Sequence, residues 1–352
     1  MKYVVKDEAY KYYYCFDSSS GFYYRSNIIK NGVVTQEEPY MSSFPHLIDV
    51  GVMGTCKTGV LGLCNTSGIQ CYQNGGIIKK PNMSVIDFER ICKECTGKTF
   101  QFAFGGRGDP DTHEFFEDLL KCSVNNSIVP NLTSSGVFLN DETVTLCKKY
   151  CGAVAISWHK SKYTYKSIEA LIKAGVKTNV HFVLKASSIK DAVELLKNNM
   201  FPKGINAVIF LLHKPAGQGI PSQVISIHNP YLNEFYDLVK KHDASKYKIG
   251  FDSCSVPGLI THLDTSYSSL DACEAGRFSC YIDSELNMTP CSFDVKQKYS
   301  QSLINSTIEE VWNSEEFSNF RNKALTSCSS CKYKSVCIGG CQLFDSINLC
   351  HE

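Results

Sequence analysis

Eighteen of the 352 residues are cysteines, and most fall in groups whose spacing could do chemistry. Cys56, Cys64 and Cys71 share one glycine-rich loop, GTCKTGVLGLCNTSGIQCYQNGG. Near the C-terminus, CSSCKYKSVCIGGC carries Cys328, Cys331, Cys337 and Cys341 with two, five and three residues between them, followed by Cys350. Cys273, Cys280 and Cys291 lie upstream, the last in MTPCSF, and Cys254 stands earlier still in FDSCSVPG. Such groups suit disulfides, zinc or iron–sulfur clusters. A disulfide scaffold is typically short and secreted, whereas MKYVVKDEAYKYYYCF puts charges and tyrosines where a signal peptide needs an apolar core. The expectation is a cytoplasmic chain with reduced thiols that bind metal. Three thiolates in the loop, rather than four, leave one position of a bound centre open to a ligand. Zinc knuckles near the C-terminus would leave that loop unexplained. Cys15, Cys92, Cys95, Cys122, Cys147 and Cys151 read as small buried hydrophobes.

Elements must hold these groups in place. Residues 1–45 are tyrosine-rich and read as short strands around a turn. From 46 to 250, apolar strands alternate with amphipathic helices: strands at 47–53, 99–104, 128–136, 153–158, 177–184 and 207–212. Ser84 and Asp87 are spaced to open the helix at 84–95 as a capping pair. That alternation predicts βαβ units, a parallel sheet and an α/β fold, a partial (β/α)6 barrel that binds ligands at the C-terminal strand ends. Cys56, Cys64 and Cys71 lie where the first strand ends. Residues 251–352 are turn-rich and cysteine-dense, with one strand-like stretch, CYIDSELNMTPC, and one helix from Ser306 to Leu325. So little apolar material needs metal to organise it.

The loop resembles that of radical S-adenosylmethionine (SAM) enzymes, in which three cysteines after the first barrel strand hold a 4Fe–4S cluster whose open iron chelates SAM. An aromatic residue usually follows the last cysteine, as Tyr72 follows Cys71; the spacing of seven and six residues departs from the family's three and two. Gly105 and Gly106 stand where the family places a Gly-Gly-Glu turn for the SAM amino group, but Arg107 replaces the acid, with Asp109 and Asp111 close behind. Thr133, Ser134 and Ser157 fall where the family contacts methionine and ribose. From 273 to 350 the chain resembles the SPASM domain of peptide-modifying radical SAM enzymes, with Leu286 where a glycine is usual. The resemblance implies two auxiliary 4Fe–4S clusters beside the SAM-binding one. Cys328, Cys331, Cys337 and Cys350 would hold the outer; Cys273, Cys291 and Cys341 the inner. Its fourth ligand is open, with Cys280 either that ligand or a buried strand residue, and Cys254 a further ligand or catalytic thiol.

The implied reaction is reductive cleavage of SAM to a 5′-deoxyadenosyl radical that takes hydrogen from a substrate, first among them a ribosomally made peptide to be crosslinked or oxidised. A small-molecule substrate, a formylglycine-type maturase and a non-catalytic electron-transfer protein are the alternatives. Formylglycine-forming relatives carry an Asp directly after the Pro-Cys cysteine; here Ser292 follows Cys291 and Asp294 comes later as a candidate base. The expected partner is a reductant such as flavodoxin or ferredoxin; since 45 N-terminal residues are few for a leader-binding domain, either a separate leader-recognition protein or a substrate without a leader is expected. A net charge of +1 gives no electrostatic reason for a nucleic-acid partner, and no apolar run reaches membrane-spanning length. His113, Glu114 and His181 lack the spacing of a metal or triad set, and His213 follows the last barrel strand.

Overall fold

The computed structural model describes residues 2–66, 68–263, 270–326, 328 and 330–350. The tyrosine-rich start forms an antiparallel meander, β1 (Lys2–Asp7), β2 (Tyr12–Asp17) and β3 (Phe22–Arg25), then a hairpin of β4 (Ile29–Lys30) and β5 (Val33–Val34). The alternating segment supplies β6 (Leu47–Val50), β7 (Gln101–Phe104), β8 (Val129–Ser134), β9 (Val154–Ser157), β10 (Thr178–Leu184), β11 (Ala207–Leu212) and β12 (Lys248–Phe251). These seven strands run parallel in chain order. Between them lie α1 (Lys57–Val60), α2 (Leu63–Thr66), α3 (Val85–Cys95), α4 (Phe116–Asn125), α5 (Asp141–Tyr150), α6 (Lys162–Lys173), α7 (Ile189–Lys197) and α8 (Leu232–Lys240). The Ser84 side chain accepts the Asp87 N–H at the start of α3, as the spacing predicts.

One parallel strand goes beyond the six expected: KIGF, short and not alternating, is β12. From the strand-like stretch of the cysteine-rich segment, β13 (Ser279–Ile282) joins the opposite edge, parallel to β6. β14 (Asn287–Thr289) and β15 (Gln301–Ser302) extend that edge antiparallel, giving a ten-stranded sheet in the order β12 through β6, then β13, β14, β15. The C-terminal segment is therefore built onto the barrel's first strand. It continues through α9 (Val256–His262), which precedes β13, and α10 (Ile308–Trp312), α11 (Glu315–Thr326) and α12 (Lys334–Cys337), which follow. The helix expected from 306 breaks in two at Asn313 and Ser314; Thr307 and Glu310 cap its first half reciprocally.

Strand alternation sends one face of the sheet to the helices. Ile48, Val50, Phe102, Phe104, Val180 and Phe210 are buried there against Phe88, Leu119 and Phe235. Each such side chain contributes about 1.5–3 kcal/mol through burial. The alternate residues, among them Asp49, Gln101, Asn131, Thr133, Ser157, Asn179 and His181, are half-buried and share the inner face. Asn131 donates to Gln101 at 2.8 Å, and Asn206 to Asn179 at 2.8 Å, across neighbouring strands. The meander packs Tyr12, Tyr14 and Phe16 onto Phe100 and Phe278 at the N-terminal strand ends. Ligand access is thereby left to the opposite, C-terminal end. No helix among the described residues is long and apolar enough to cross a membrane.

Candidate metal and cofactor site

The chain leaving β6 passes through Gly51 and Gly54 into the cysteine loop. Cys56 caps α1, its Sγ accepting the Gly59 N–H at 3.2 Å, and the Gly75 N–H donates to Cys71 Sγ at 3.3 Å. Cys56, Cys64 and Cys71 line one cavity, whose remaining wall is Gly59, Gly75, Gly76, Ile77 and Gln218. The glycines are needed there. A Cβ on Gly75 would lie 2.9 Å from Cys56 Cβ and 3.4 Å from the Sγ atoms of Cys56 and Cys71. Burial pushes the Cys56 and Cys64 thiols up to about 11 each, so a metal centre would displace their protons. Among the described residues no three His, Cys, Asp or Glu side chains close to the distances of one ion. Three thiols around a shared space, two of them with N–H donors and backed by Gly75, fit a polynuclear iron–sulfur cluster.

The rest of the loop is locked from both sides. Arg107 donates to the carbonyls of Gly54 (3.2 Å) and Gln73 (3.3 Å), and the Gln218 N–H donates to the Cys71 carbonyl at 3.0 Å. Gln73 Nε2 reaches the Ser292 carbonyl at 2.6 Å, and the Tyr72 ring lies 4.3 Å from that of Phe293. The loop thus rests on the segment around Cys291.

The residues expected to touch SAM divide by where the strands send them. Thr133 and Ser157 face the barrel interior, with Gly105 beside Thr133. Ser134, next in β8, points the other way: it is buried, and its Oγ accepts the Gly136 N–H at 3.0 Å. Asp109 is buried and accepts from Thr58 Oγ1 (2.8 Å), Ser135 N (2.6 Å) and Ser135 Oγ (2.7 Å). Both oxygens are thereby engaged in pinning α1 to the end of β8. Arg107 is a brace for the loop, and Tyr72 packs on Phe293. Gly106, at φ +81°, makes room for Tyr281 of β13, whose hydroxyl would lie 2.7 Å from a Cβ there.

Of the catalytic candidates, Asp294 is a turn anchor. Its two oxygens accept the N–H groups of Lys298 (3.0 Å) and Tyr299 (2.8 Å), which further weakens the formylglycine reading. Cys280 pairs with Ile48 in register and belongs to the apolar core behind the sheet. It is a strand residue, the second of its two expected readings. Cys254 lies in a short turn after β12, within electrostatic reach of Cys341, Cys273 and Cys291. Cys328, Cys331, Cys337 and Cys350 form a second neighbourhood, close enough that the other three help burial raise Cys337 to about 11. His213 is turned inward, its Nε2 against the Ile220 carbonyl at 3.1 Å.

Several groups went unnoticed in the sequence. Burial raises Asp49 to about 7, within a strand otherwise apolar. Tyr281 fits between Gly51 and Gly106, a contact visible only once β13 pairs with β6. Lys214 is buried in an ion pair with Asp252, its ammonium near Cys254 and Cys341 and 4.7 Å from the Phe293 ring. A lysine so close after an apolar strand was the available signal.

Residues 273–332 match SPASM, an iron–sulfur cluster-binding domain. The fold is similar to that of Streptococcus suis SuiB bound to S-adenosylmethionine (15% identity, 86% of this chain and 74% of that one, TM-score 0.62). It is also similar to anSMEcpe with bound AdoMet (16%, 86% and 91%, 0.61). SuiB is likewise matched in its complex with the precursor peptide SuiA (16%, 86% and 72%, 0.61), and anSMEcpe with AdoMet and the Cp18Cys peptide (15%, 86% and 90%, 0.61). No curated protein matches the chain in sequence. The resemblance to the SPASM domain is thus borne out at residues 273–332, and the fold over most of the chain is shared with SuiB and anSMEcpe.

Proposed function

We propose that this chain is a radical SAM enzyme acting on a peptide. The observation that carries the reading is the cavity of Cys56, Cys64 and Cys71 at the C-terminal end of β6, with three thiols and no fourth among its lining residues. Those cysteines would hold a 4Fe–4S cluster, which when bound supplies the electron that splits SAM into methionine and a 5′-deoxyadenosyl radical. The chain's own part is to position SAM and keep out water. Thr133 and Ser157 offer hydroxyls from the strand ends, and Asn131 and Asn179 lie deeper in a polar lumen. Tyr281 and Phe293, brought by the C-terminal segment, fill space beside the loop that water would otherwise take. The cysteines beyond residue 250 would hold two auxiliary clusters. A peptide substrate is favoured because SuiB and anSMEcpe, similar over 86% of this chain, are each seen with a peptide bound. A flavodoxin- or ferredoxin-type reductant would supply electrons.

The reading is tested by electron paramagnetic resonance of the anaerobically reconstituted, reduced protein with and without SAM. We expect SAM to alter one cluster signal in the parent and to alter none in a Cys56→Ala, Cys64→Ala, Cys71→Ala variant. Identical spectra with and without SAM in the parent would overturn it.

A further inference from the structure

We propose that Cys254, which precedes the SPASM-matching segment, completes the inner cysteine set with Cys273, Cys291 and Cys341, so that one ligand of the inner cluster comes from the barrel. The inference rests on reading the C-terminal array as cluster-binding. Sequence order would favour Cys280, seven residues after Cys273. Strand direction excludes it, because the residue in register with Ile48 faces the helices, while its neighbour Tyr281 faces inward.

Cys254 is held in place by a built arrangement. β12 ends at Asp252, whose Oδ2 accepts the Leu212 N–H at 3.1 Å and the Lys214 ammonium, and whose Oδ1 accepts the Ser255 hydroxyl at 2.7 Å. That carboxylate ties the ends of β11 and β12 together and sets the turn carrying Cys254. From there α9 runs against the C-terminal segment. Gly258 sits so close that a Cβ would lie 3.0 Å from Leu349 Cβ, and α12 packs on the same helix. Cys341 is buried and fixed by its own N–H, which donates to Asn348 Oδ1 at 2.9 Å. The Cys254 and Cys341 thiols are close enough to bear on each other's ionisation, and Cys273 and Cys291 lie within electrostatic reach of Cys254. Four thiols from four separate stretches are therefore turned toward one region, spaced more widely than the ligands of a single ion.

Two consequences follow. A cluster with four protein thiolates offers no free iron to a substrate, which assigns the inner centre to electron transfer rather than substrate ligation. It would also staple the end of the barrel's last strand to the C-terminal segment.

The test uses the full chain with Cys56, Cys64 and Cys71 replaced by alanine, so that only auxiliary clusters remain. Iron content, Mössbauer spectra and reduction potentials are compared after adding Cys254→Ala, Cys254→Ser or Cys280→Ala. Cys254→Ala should lose the inner cluster's iron or convert it to a form with one distinct iron. Cys254→Ser should keep the cluster with a shifted potential, and Cys280→Ala should leave the spectra unchanged. A folding defect in the alanine variant is bypassed by alkylation of the unsubstituted chain, where Cys254 should be protected until a chelator strips the iron. Unchanged spectra in both Cys254 variants, or ready alkylation with the clusters intact, would overturn the assignment alone. Absence of iron from the starting variant would overturn the cluster-binding reading with it.

Discussion

Replacing Asp109 should loosen the cysteine loop without touching a thiol. Its carboxylate receives three donors, from Thr58 Oγ1, Ser135 N and Ser135 Oγ, and thereby joins α1 to the end of β8. Hydrogen bonds to a charged acceptor contribute about 1.5–3 kcal/mol each, and a buried donor left unmet costs about 1–3 kcal/mol. The two hydroxyls can rotate toward other acceptors, so Asp109→Ala should cost roughly 3–4 kcal/mol rather than the full sum. Asp109→Asn keeps one oxygen for the Ser135 N–H and can donate to the hydroxyls, so it should cost about 1 kcal/mol. At roughly 2–4 °C per kcal/mol for a domain of barrel size, the alanine variant should melt about 6–16 °C lower. Calorimetry of the reconstituted protein, with iron counted before and after gel filtration, reads both effects. Loop iron should be lost from Asp109→Ala, largely retained in Asp109→Asn, and the C-terminal clusters kept in both. An alanine variant that melts with the parent and keeps its loop iron would refute the bracing role and return Asp109 to the list of ligand contacts.

Other expectations concern neighbouring parts of the molecule. Gly75→Ala should abolish the loop cluster while leaving the C-terminal ones, because its Cβ enters the space between Cys56 and Cys71; unchanged iron content would contradict this. Gly106→Ala should destabilise by about 2–3 kcal/mol, part from its positive φ and part from the Tyr281 hydroxyl, and adding Tyr281→Phe should restore the clash share and leave about 1 kcal/mol. Lys214→Met removes a positive charge beside the inner set. At roughly 6 Å and an effective dielectric of about 20 one charge is worth about 3 kcal/mol, so even partly offset by Asp252 the inner potential should fall by about 50 mV or more. His46 is buried against the hydroxyls of Tyr12 (3.3 Å) and Tyr23 (2.5 Å), and burial lowers its pKa to about 3. Only the unfolded chain then takes up that proton between pH ~6.5 and ~3, so stability falls with falling pH, by about 1.4 kcal/mol at pH 5.5 from this group. Urea midpoints at pH 7.5 and 5.5 should show that loss in the parent and not in His46→Gln.

Period and punctuation were enough to read the six central strands, because each alternates with a capped amphipathic helix. β12 was illegible for a different reason. A four-residue strand such as KIGF has no period of its own, and only pairing with β11 makes it one, whereas the strand-like stretch CYIDSELNMTPC gave β13 and β14 but not their place beside β6. The cysteine loop stood out by residue type, and the structure gathers its three thiols around one cavity at the end of β6. Individual SAM contacts did not stand out. Thr133 and Ser134 look alike in sequence but lie on opposite faces, and Asp109 looks free until Thr58 and Ser135 are brought to it. The fourth member of the inner set was left open between Cys280 and Cys254. Only the pairing of β13 with β6 turns Cys280 to the apolar core, and only the end of β12 and the packing of α9 bring Cys254 toward the C-terminal segment.

The central claim is that the three-cysteine loop supports cleavage of SAM. Its most direct test is anaerobic reconstitution with iron and sulfide, reduction with dithionite in the presence of SAM, and chromatographic detection of 5′-deoxyadenosine. The account predicts 5′-deoxyadenosine from the parent and none from the Cys56→Ala, Cys64→Ala, Cys71→Ala variant with its C-terminal clusters intact. Equal product from both proteins, or none from a fully loaded parent with candidate peptides present, would contradict it.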